Sequence, residues 1–463
     1  MSGRQATKSV PGPLESYAQE FDELFSRVNQ RAGFRQYLVG LLLPAERNKT
    51  LTGLVNAEPV VGAQEPRVQN LQWDLSESRW DWAQVNERRL GLLMGTPGLR
   101  PKGSGALVID ESGDRKDGHR TAHVGRQYLA NLGKVDNGVV SVSSLWTDEQ
   151  VYYPIDVEPY TPASWFPKGK NDRAFRTKLQ IAVELVQGAV KRKIEFRAVV
   201  ADSFYGEDEG FRAGLNQMGV GYVLALRPSH SWWHPGDAIG SLAEFARSQA
   251  WRSPTDHGQW VPIVRSFRDG RRERWWALEV TAGPYGPKRP QRAIVVTTDP
   301  TQLPELTTWY LVTNLPSPHS ARAGKSRLAP ANLAEIVRLY SLRNWVEQSY
   351  KQVKHSLGWA QYQVRSDRAI RRHWILVFCA FTFCWWQSTR PLTAGDSVPK
   401  KNLAAPPSPL AAAPAAGPRL ARTLHLSGRF LSYHAQTVLD RLLVNAPAPA
   451  PASPARLRLA IPG

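Results

Sequence analysis

Cysteine is nearly absent: the 463 residues contain two, Cys379 and Cys384. Two thiols build no disulfide framework, and no metal-ligand spacing surrounds them. They sit in an apolar run and read as core thiols, which suits a reducing cytosol. Long apolar runs are missing as well. The most apolar stretch, "WILVFCAFTFCWW" at 374–386, falls short of the ~20 residues of a membrane span, so a buried helix is predicted there. The N-terminus carries no charged-then-apolar leader, and no internal repeat is found. These absences predict a soluble, intracellular protein. Acid is scarce too. With 40 Asp and Glu against 59 Lys and Arg, the formal charge is +19 and the pI is near 10. Such an excess favours a polyanionic partner, because each phosphate neutralised releases counterions. A peripheral membrane protein has the same excess, so charge alone does not choose.

What is present divides the chain into five parts. Residues 1–102 read as helical: Leu14, Tyr17, Phe21, Leu24 and Val28 recur at helical spacing. "ERNKTLTGLVNAEPVVGAQEPRVQNLQW" suggests two helices around a turn, which suits either a DNA-reading helix-turn-helix or plain helical packing. "SRWDWAQVNERRLGLL" closes this part, with Ser78 the expected N-cap. From 103 to 228 the period changes. "ALVIDESG", "NGVVSVSSLW" and "QVYYPIDVEPY" read as strands. A helix follows with Leu179, Val183, Val186 and Val190 on its apolar face, then strand "FRAVVADSFYG", a second helix and strand "GYVLALRP". The fold class is α/β with a mixed sheet in β-β-β-α-β-α-β order, which places Asp110 and Asp202 at the carboxyl ends of central strands, where sites in open sheets assemble. Residues 229–304 read as β-rich, with a hairpin about Asp269-Gly270. "TWYLVTNL" is expected to rejoin the main sheet within 305–390. Residues 391–463 are a Pro/Ala-rich tail, expected to be flexible, with room for one helix at 424–443.

Within 305–390, "RLYSLRNWVEQSYKQVKHSLGW" reads as one helix. Steps of three, four and seven put Tyr340, Arg343, Glu347 and Lys354 on one stripe. Glu347 then points toward the sheet edge that carries Asp110 and Asp202. Three carboxylates meeting at one point repel unless a cation lies among them. Oxygen-only ligands suit Mg²⁺ or Mn²⁺, and two such ions about 3.5–4 Å apart serve an in-line phosphodiester displacement. Arg343 and Lys354 fit as phosphate-binding cations beside them. The bland alternative makes Arg343 and Glu347 an ordinary surface pair worth roughly 0.3–0.5 kcal/mol. The joint placement of all these groups favours the functional reading.

These residues resemble the DDE transposases of bacterial insertion sequences, whose catalytic fold is RNase H-like. The branch in question carries the signature Y-x2-R-x3-E-x6-K, and "YSLRNWVEQSYKQVK" matches every spacing. "VIDESG", "HVGRQY" and "VVADSFYG" are similar to blocks of the same enzymes, and the likeness covers roughly residues 35–388. The resemblance implies metal ligands at Asp110, Asp202 and Glu347, with Tyr340, Arg343 and Lys354 contacting DNA near the cleaved phosphate. It implies Mg²⁺ or Mn²⁺ as two ions, and double-stranded DNA as partner, both terminal inverted repeats and target. It further implies a homodimer in the synaptic complex and a place in the bacterial cytoplasm, near the nucleoid. Residues 229–304 become the β-rich insertion, and Trp232, Trp233, Trp251, Trp260, Trp275 and Trp276 become candidates for holding a flipped base. Two departures stand out: Asp114 and Asp117 add charge to the first block, where Asp114 is either an outer ligand or, the favoured reading, a solvated loop charge, and the tail has no counterpart. The rivals to a transposase are a DNA-binding regulator that has lost catalysis and a nuclease without strand transfer.

Overall fold

The computed structural model describes residues 12–43, 48–58, 62–233, 239–266, 271–280 and 291–390. The tail, the 424–443 segment and the Asp269-Gly270 turn lie outside them. Five helices come first: α1 (Pro13–Gln19), α2 (Val28–Leu42), α3 (Leu51–Leu54), α4 (Pro66–Ser76) and α5 (Trp82–Gly95). The apolar spacing over 14–28 does not make one helix. A 3-10 turn at Asp22–Leu24 intervenes, and Val28 is 73% exposed. Nor does Ser78 cap α5. Asp81 does, accepting from the Ala83 amide, while Ser78 is buried and takes a hydrogen bond from Gln30 Nε2 at 2.8 Å.

Helices α1, α2, α4 and α5 close around the last helix, α12 (Asp367–Ser388), while α3 packs on α2 and α4. Fifteen of its residues are buried, including Trp374, Phe378 and Cys379, as the apolar run predicts. Each large apolar side chain buried there contributes about 1.5–3 kcal/mol. Burial pushes both thiols up to about 12, so they are inert packing groups. Polar side chains tie the bundle together. Arg89, fully buried, donates to the Pro154 and Ile155 carbonyls and to Thr382 Oγ1. Tyr37 Oη meets His373 Nδ1 at 2.8 Å. No helix among the described residues is long and apolar enough to cross a membrane.

The remainder is α/β around a large mixed sheet. Its first half comprises β1 (Ala106–Arg115), β2 (Gly125–Leu129), β3 (Lys134–Thr147), β4 (Tyr152–Tyr160), α6 (Lys178–Lys191), β5 (Ala198–Ala201), α7 (Ser203–Gly206), α8 (Glu209–Gln217) and β6 (Tyr222–Leu226). The short β2, paired with the start of β3, is an addition to the expected order. Helix α6 buries Ile181, Ala182, Leu185, Val186 and Ala189; of the four expected apolar positions only Val186 is fully inside, and Val190 is 41% exposed. Two small strands, β7 (Ser231–Trp233) and β8 (Ile239–Ser241), pair with each other and lead into α9 (Leu242–Ser248). Then β9 (Val261–Ser266), β10 (Arg272–Val280), β11 (Arg292–Thr297) and β12 (Thr308–Thr313) continue the main sheet. The order is β2-β3-β1-β5-β6-β12-β11-β10-β9, with β4 also on β3. Strand β12 does rejoin the sheet, antiparallel to β6. The strands at 261–297 thus extend one continuous sheet.

Alternation along β5 fixes the two faces. Val199 and Ala201 join one apolar core and Ala198 and Val200 the other. The second core is closed by α10 (Leu333–Ser341), through Ile336, Val337 and Leu339. Helix α11 (Asn344–His355) follows and packs on β1 and β4.

Candidate active site

Sheet pairing creates the site. β1 runs parallel to β5 only from Ala106 to Val108, then stays paired with β3 as far as Arg115. Past Val108 the two central strands part. Asp110 lies just beyond that point, within β1 rather than at its end, because the antiparallel ladder to β3 carries the strand five residues further. Asp202 does follow the last residue of β5, where its Oδ1 caps α7 by accepting from the Phe204 amide at 3.0 Å. Gly206 lets α7 sit against β6: a Cβ there would lie 1.8 Å from the Ala225 carbonyl oxygen.

The stripe predicted as one helix is two. α10 ends at Ser341 and α11 begins at Asn344. Across the junction the backbone tightens to i→i−3 hydrogen bonds, Arg343 N–H to Tyr340 O and Val346 N–H to Arg343 O, both 3.0 Å. Tyr340 and Glu347 therefore sit on different helices, with Arg343 at the joint. Its guanidinium collects all three carboxylates. Nη2 lies 3.3 Å from Asp110 Oδ2 and 3.9 Å from Asp202 Oδ2, and Nη1 lies 3.3 Å from Glu347 Oε1. The acidic groups expected to converge, 92 and 145 positions apart in sequence, share one cation.

The electrostatics follow from burial. Asp110 is 7% exposed; desolvation raises its carboxyl to about 7, against the pull of Arg343. Burial opposes the charge of Arg343, yet Asp110, Tyr340, Asp202 and Glu347 together hold its pKa above the ordinary value. Tyr340, edge-on to Trp309 at 5.0 Å, is pushed up to about 12 chiefly by burial. Glu347 is the open member, its side chain 62% exposed.

Further along α11 the stripe is tied to β1. Tyr350 Oη donates to the Asp110 carbonyl at 3.1 Å and lies 2.6 Å from Ser143 Oγ. Lys354 Nζ donates to the Gly113 carbonyl at 3.0 Å and pairs with Asp114 Oδ1 at 2.7 Å. This corrects the expectation for Asp114. It belongs to β1, its side chain is 2% exposed, and it neutralises the one lysine of the signature. Asp117 is the solvated member of the pair, its side chain 91% exposed. Tyr350 is not among the residues the signature names, although the spacing of positions 343, 347, 350 and 354 on one helical face points to it. Of the six tryptophans of the insertion, Trp232, Trp260, Trp275 and Trp276 are buried, whereas Trp233 and Trp251 are half-buried.

Oxygen-only donors of this kind fit a hard divalent cation. As the side chains stand, no three acidic, His or Cys groups among the described residues lie close enough to hold one. The Arg343 guanidinium takes the position between the carboxylates.

The stretch of chain that carries these acidic groups is similar to known proteins. Residues 20–255 match the DDE superfamily endonucleases and residues 176–383 the transposase DDE domain, and the chain belongs to the DDE transposases. Over 352 residues it is 31% identical to the probable transposase for insertion sequence element IS701 of Microchaete diplosiphon, covering 76% of this chain and 81% of the relative. It is a transposase that acts on DNA, and the family's chemistry depends on divalent metal.

Proposed function

We propose that the chain cuts the ends of its insertion sequence and joins the freed 3′-hydroxyl to target DNA, using an RNase H-like core in which Asp110, Asp202 and Glu347 hold Mg²⁺ or Mn²⁺, as two ions. The observation that carries this reading is the convergence of three carboxylates, from three distant chain segments, on one guanidinium. When bound, the ions activate the attacking oxygen and stabilise the leaving one. The protein's own part is positional. Asp110, buried and anchored through its carbonyl by Tyr350, is the fixed ligand. Glu347, exposed on α11 and paired only with Arg343 among the ion pairs of the described residues, would supply the third ligand. With its carboxylate partners engaged by metal, Arg343 would be available to a phosphate oxygen, with Tyr340 beside it. Lys354, implied by the resemblance as a DNA contact, has its ammonium committed to Asp114, and its role is to seat α11. The N-terminal helices serve recognition of the terminal repeats, and two copies act in the synaptic complex in the bacterial cytoplasm.

The test combines the protein, DNA carrying the element's terminal repeats, a target plasmid and Mg²⁺. Joined products are expected. Asp110→Asn, Asp202→Asn and Glu347→Gln should each abolish cleavage while leaving DNA binding nearly intact, because each removes charge and little volume. Full cleavage in any one of the three would overturn the site. Binding without cutting in the wild type would mark a regulator, and cutting without joining a nuclease.

A further inference from the structure

Running beside the site is a segment that none of the above uses. β1 and β4 both run antiparallel to β3, so β4 leaves the sheet at the same edge as Asp202. Its connection to α6 contains "WFPKGKNDRAFRTK", residues 165–178, with five cations and one acid. Two of the cations are used internally. Arg176 pairs with Glu158 and Glu184, and Lys178 Nζ lies 2.9 Å from Glu111 Oε1, next along β1 from Asp110. Lys168, Lys170 and Arg173 are exposed and form no ion pair among the described residues.

A charge run is most often a solvated face. This one differs in being held rigidly. Two 3-10 turns, Ala163–Trp165 and Gly169–Asn171, shape it. Trp165 Nε1 donates to the Val124 carbonyl at 2.7 Å, and Phe175 packs edge-on against Phe166 at 5.8 Å and Tyr160 at 6.3 Å. With the backbone already shaped, only the side chains of the three cations need be ordered when they meet an array of phosphates. The segment ends at Lys178, whose ammonium is 5.6 Å from the ring centre of Phe204. That ring is 47% exposed, two residues after Asp202. A large apolar ring open to solvent at the rim of a DNA-cutting site has the chemistry of a stacking platform, since every base presents a π-face.

We propose that the connection between β4 and α6 is a track for the substrate DNA backbone, on which Lys168, Lys170 and Arg173 neutralise phosphates, and that it delivers the strand to Phe204, which stacks on a base beside the scissile phosphate. The inference rests on the active-site reading above, but its test does not require metal. Binding of the full-length protein to a short fluorescein-labelled duplex is measured in EDTA at a series of salt concentrations. Replacing Lys168, Lys170 and Arg173 together by serine should reduce the slope of log affinity against log salt by about 2.7, at ~0.9 per phosphate contact, with thermal unfolding unchanged. An unchanged slope would refute the track. For the platform, 2-aminopurine is placed in turn at each position flanking the cleavage site. One position should be quenched by the wild type and by Phe204→Trp but not by Phe204→Ala, whose affinity should fall roughly tenfold. Equal quenching by Phe204→Ala and wild type would refute the stacking. Loss of cleavage in Asp110→Asn is scored separately, so either reading can fail alone.

Discussion

Replacing Lys354 tests whether the last residue of the signature works on DNA or on the protein. Its ammonium lies 2.7 Å from Asp114 Oδ1, with side-chain exposures of 16% and 2%. Both groups are far below the exposure at which solvent screens such a pair to a few tenths of a kcal/mol. In Lys354→Met the aliphatic stem remains, but Asp114 is left as an unpaired charge, its Oδ2 already without a hydrogen-bond partner among the described residues. Removing one member of a buried pair costs about 3–5 kcal/mol. Replacing both, as Asp114→Leu with Lys354→Met, leaves no stranded charge and should recover most of that loss. The assay is thermal unfolding followed by circular dichroism, run alongside the salt dependence of DNA binding. The single variant should melt several degrees lower, the double variant close to the wild type, and all three should share one salt slope. A Lys354→Met protein of wild-type stability whose slope falls by about 0.9 would show a phosphate contact instead, and would refute the reasoning.

Arg343→Ala should slow cleavage by roughly 10²–10³-fold, the usual cost of losing one preorganised contact to a reacting oxyanion. Arg343→Lys, which keeps the charge and loses the two-pronged geometry, should also be strongly impaired, and wild-type single-turnover rates in both would return the residue to a structural role. Because burial holds the Asp110 carboxyl up at about 7, a proton competes with the ion below that pH. Mn²⁺ affinity, followed by electron paramagnetic resonance, should therefore drop about fivefold from pH 7 to 6, and a flat profile would contradict this. Burial depresses the His373 imidazole to about 4. Between that value and its ordinary 6.5 the unfolded chain binds a proton that the folded chain refuses. About 3 kcal/mol of stability is thus complete above pH 6.5 and lost as pH falls through 4. Urea unfolding from pH 7 to 4 should show a shallower decline in His373→Gln.

The central strands and the three carboxylates were legible because apolar runs bounded by glycine, and acids at their edges, carry their own signal. "VVADSFYG" placed Asp202 correctly since β5 stops where its apolar run stops. The identity of Asp110 is legible but its position is not, because nothing in "VIDESGDR" reveals that an antiparallel neighbour keeps the strand going to Arg115. The same hidden ladder buries Asp114, which by local sequence looks like a loop charge. The break at Leu342–Arg343 was invisible because no proline or glycine marks it and both residues keep right-handed helical angles. A boundary at 102/103 follows the change of period in the sequence. Side chains on either side of it nonetheless share a core, as Arg89 reaching β4 and α12 illustrates, a relation that only tertiary contact can disclose.

The joint between α10 and α11 sets a mechanical tolerance on chain length. α10 is clamped to the sheet by Leu339 and its neighbours, whereas α11 is bolted to β1 by Tyr350 and Lys354. One residue added between Glu347 and Tyr350 would turn the carboxylate by about 100° relative to those bolts and draw it off the site. One residue added at the joint would instead leave Glu347 in place and shift Arg343 or Tyr340 out of step. An addition among the exposed turns at 321–327 would disturb neither. The intervals of the signature behave like gear teeth cut for two separate wheels, and a length change is harmless only where no wheel is engaged.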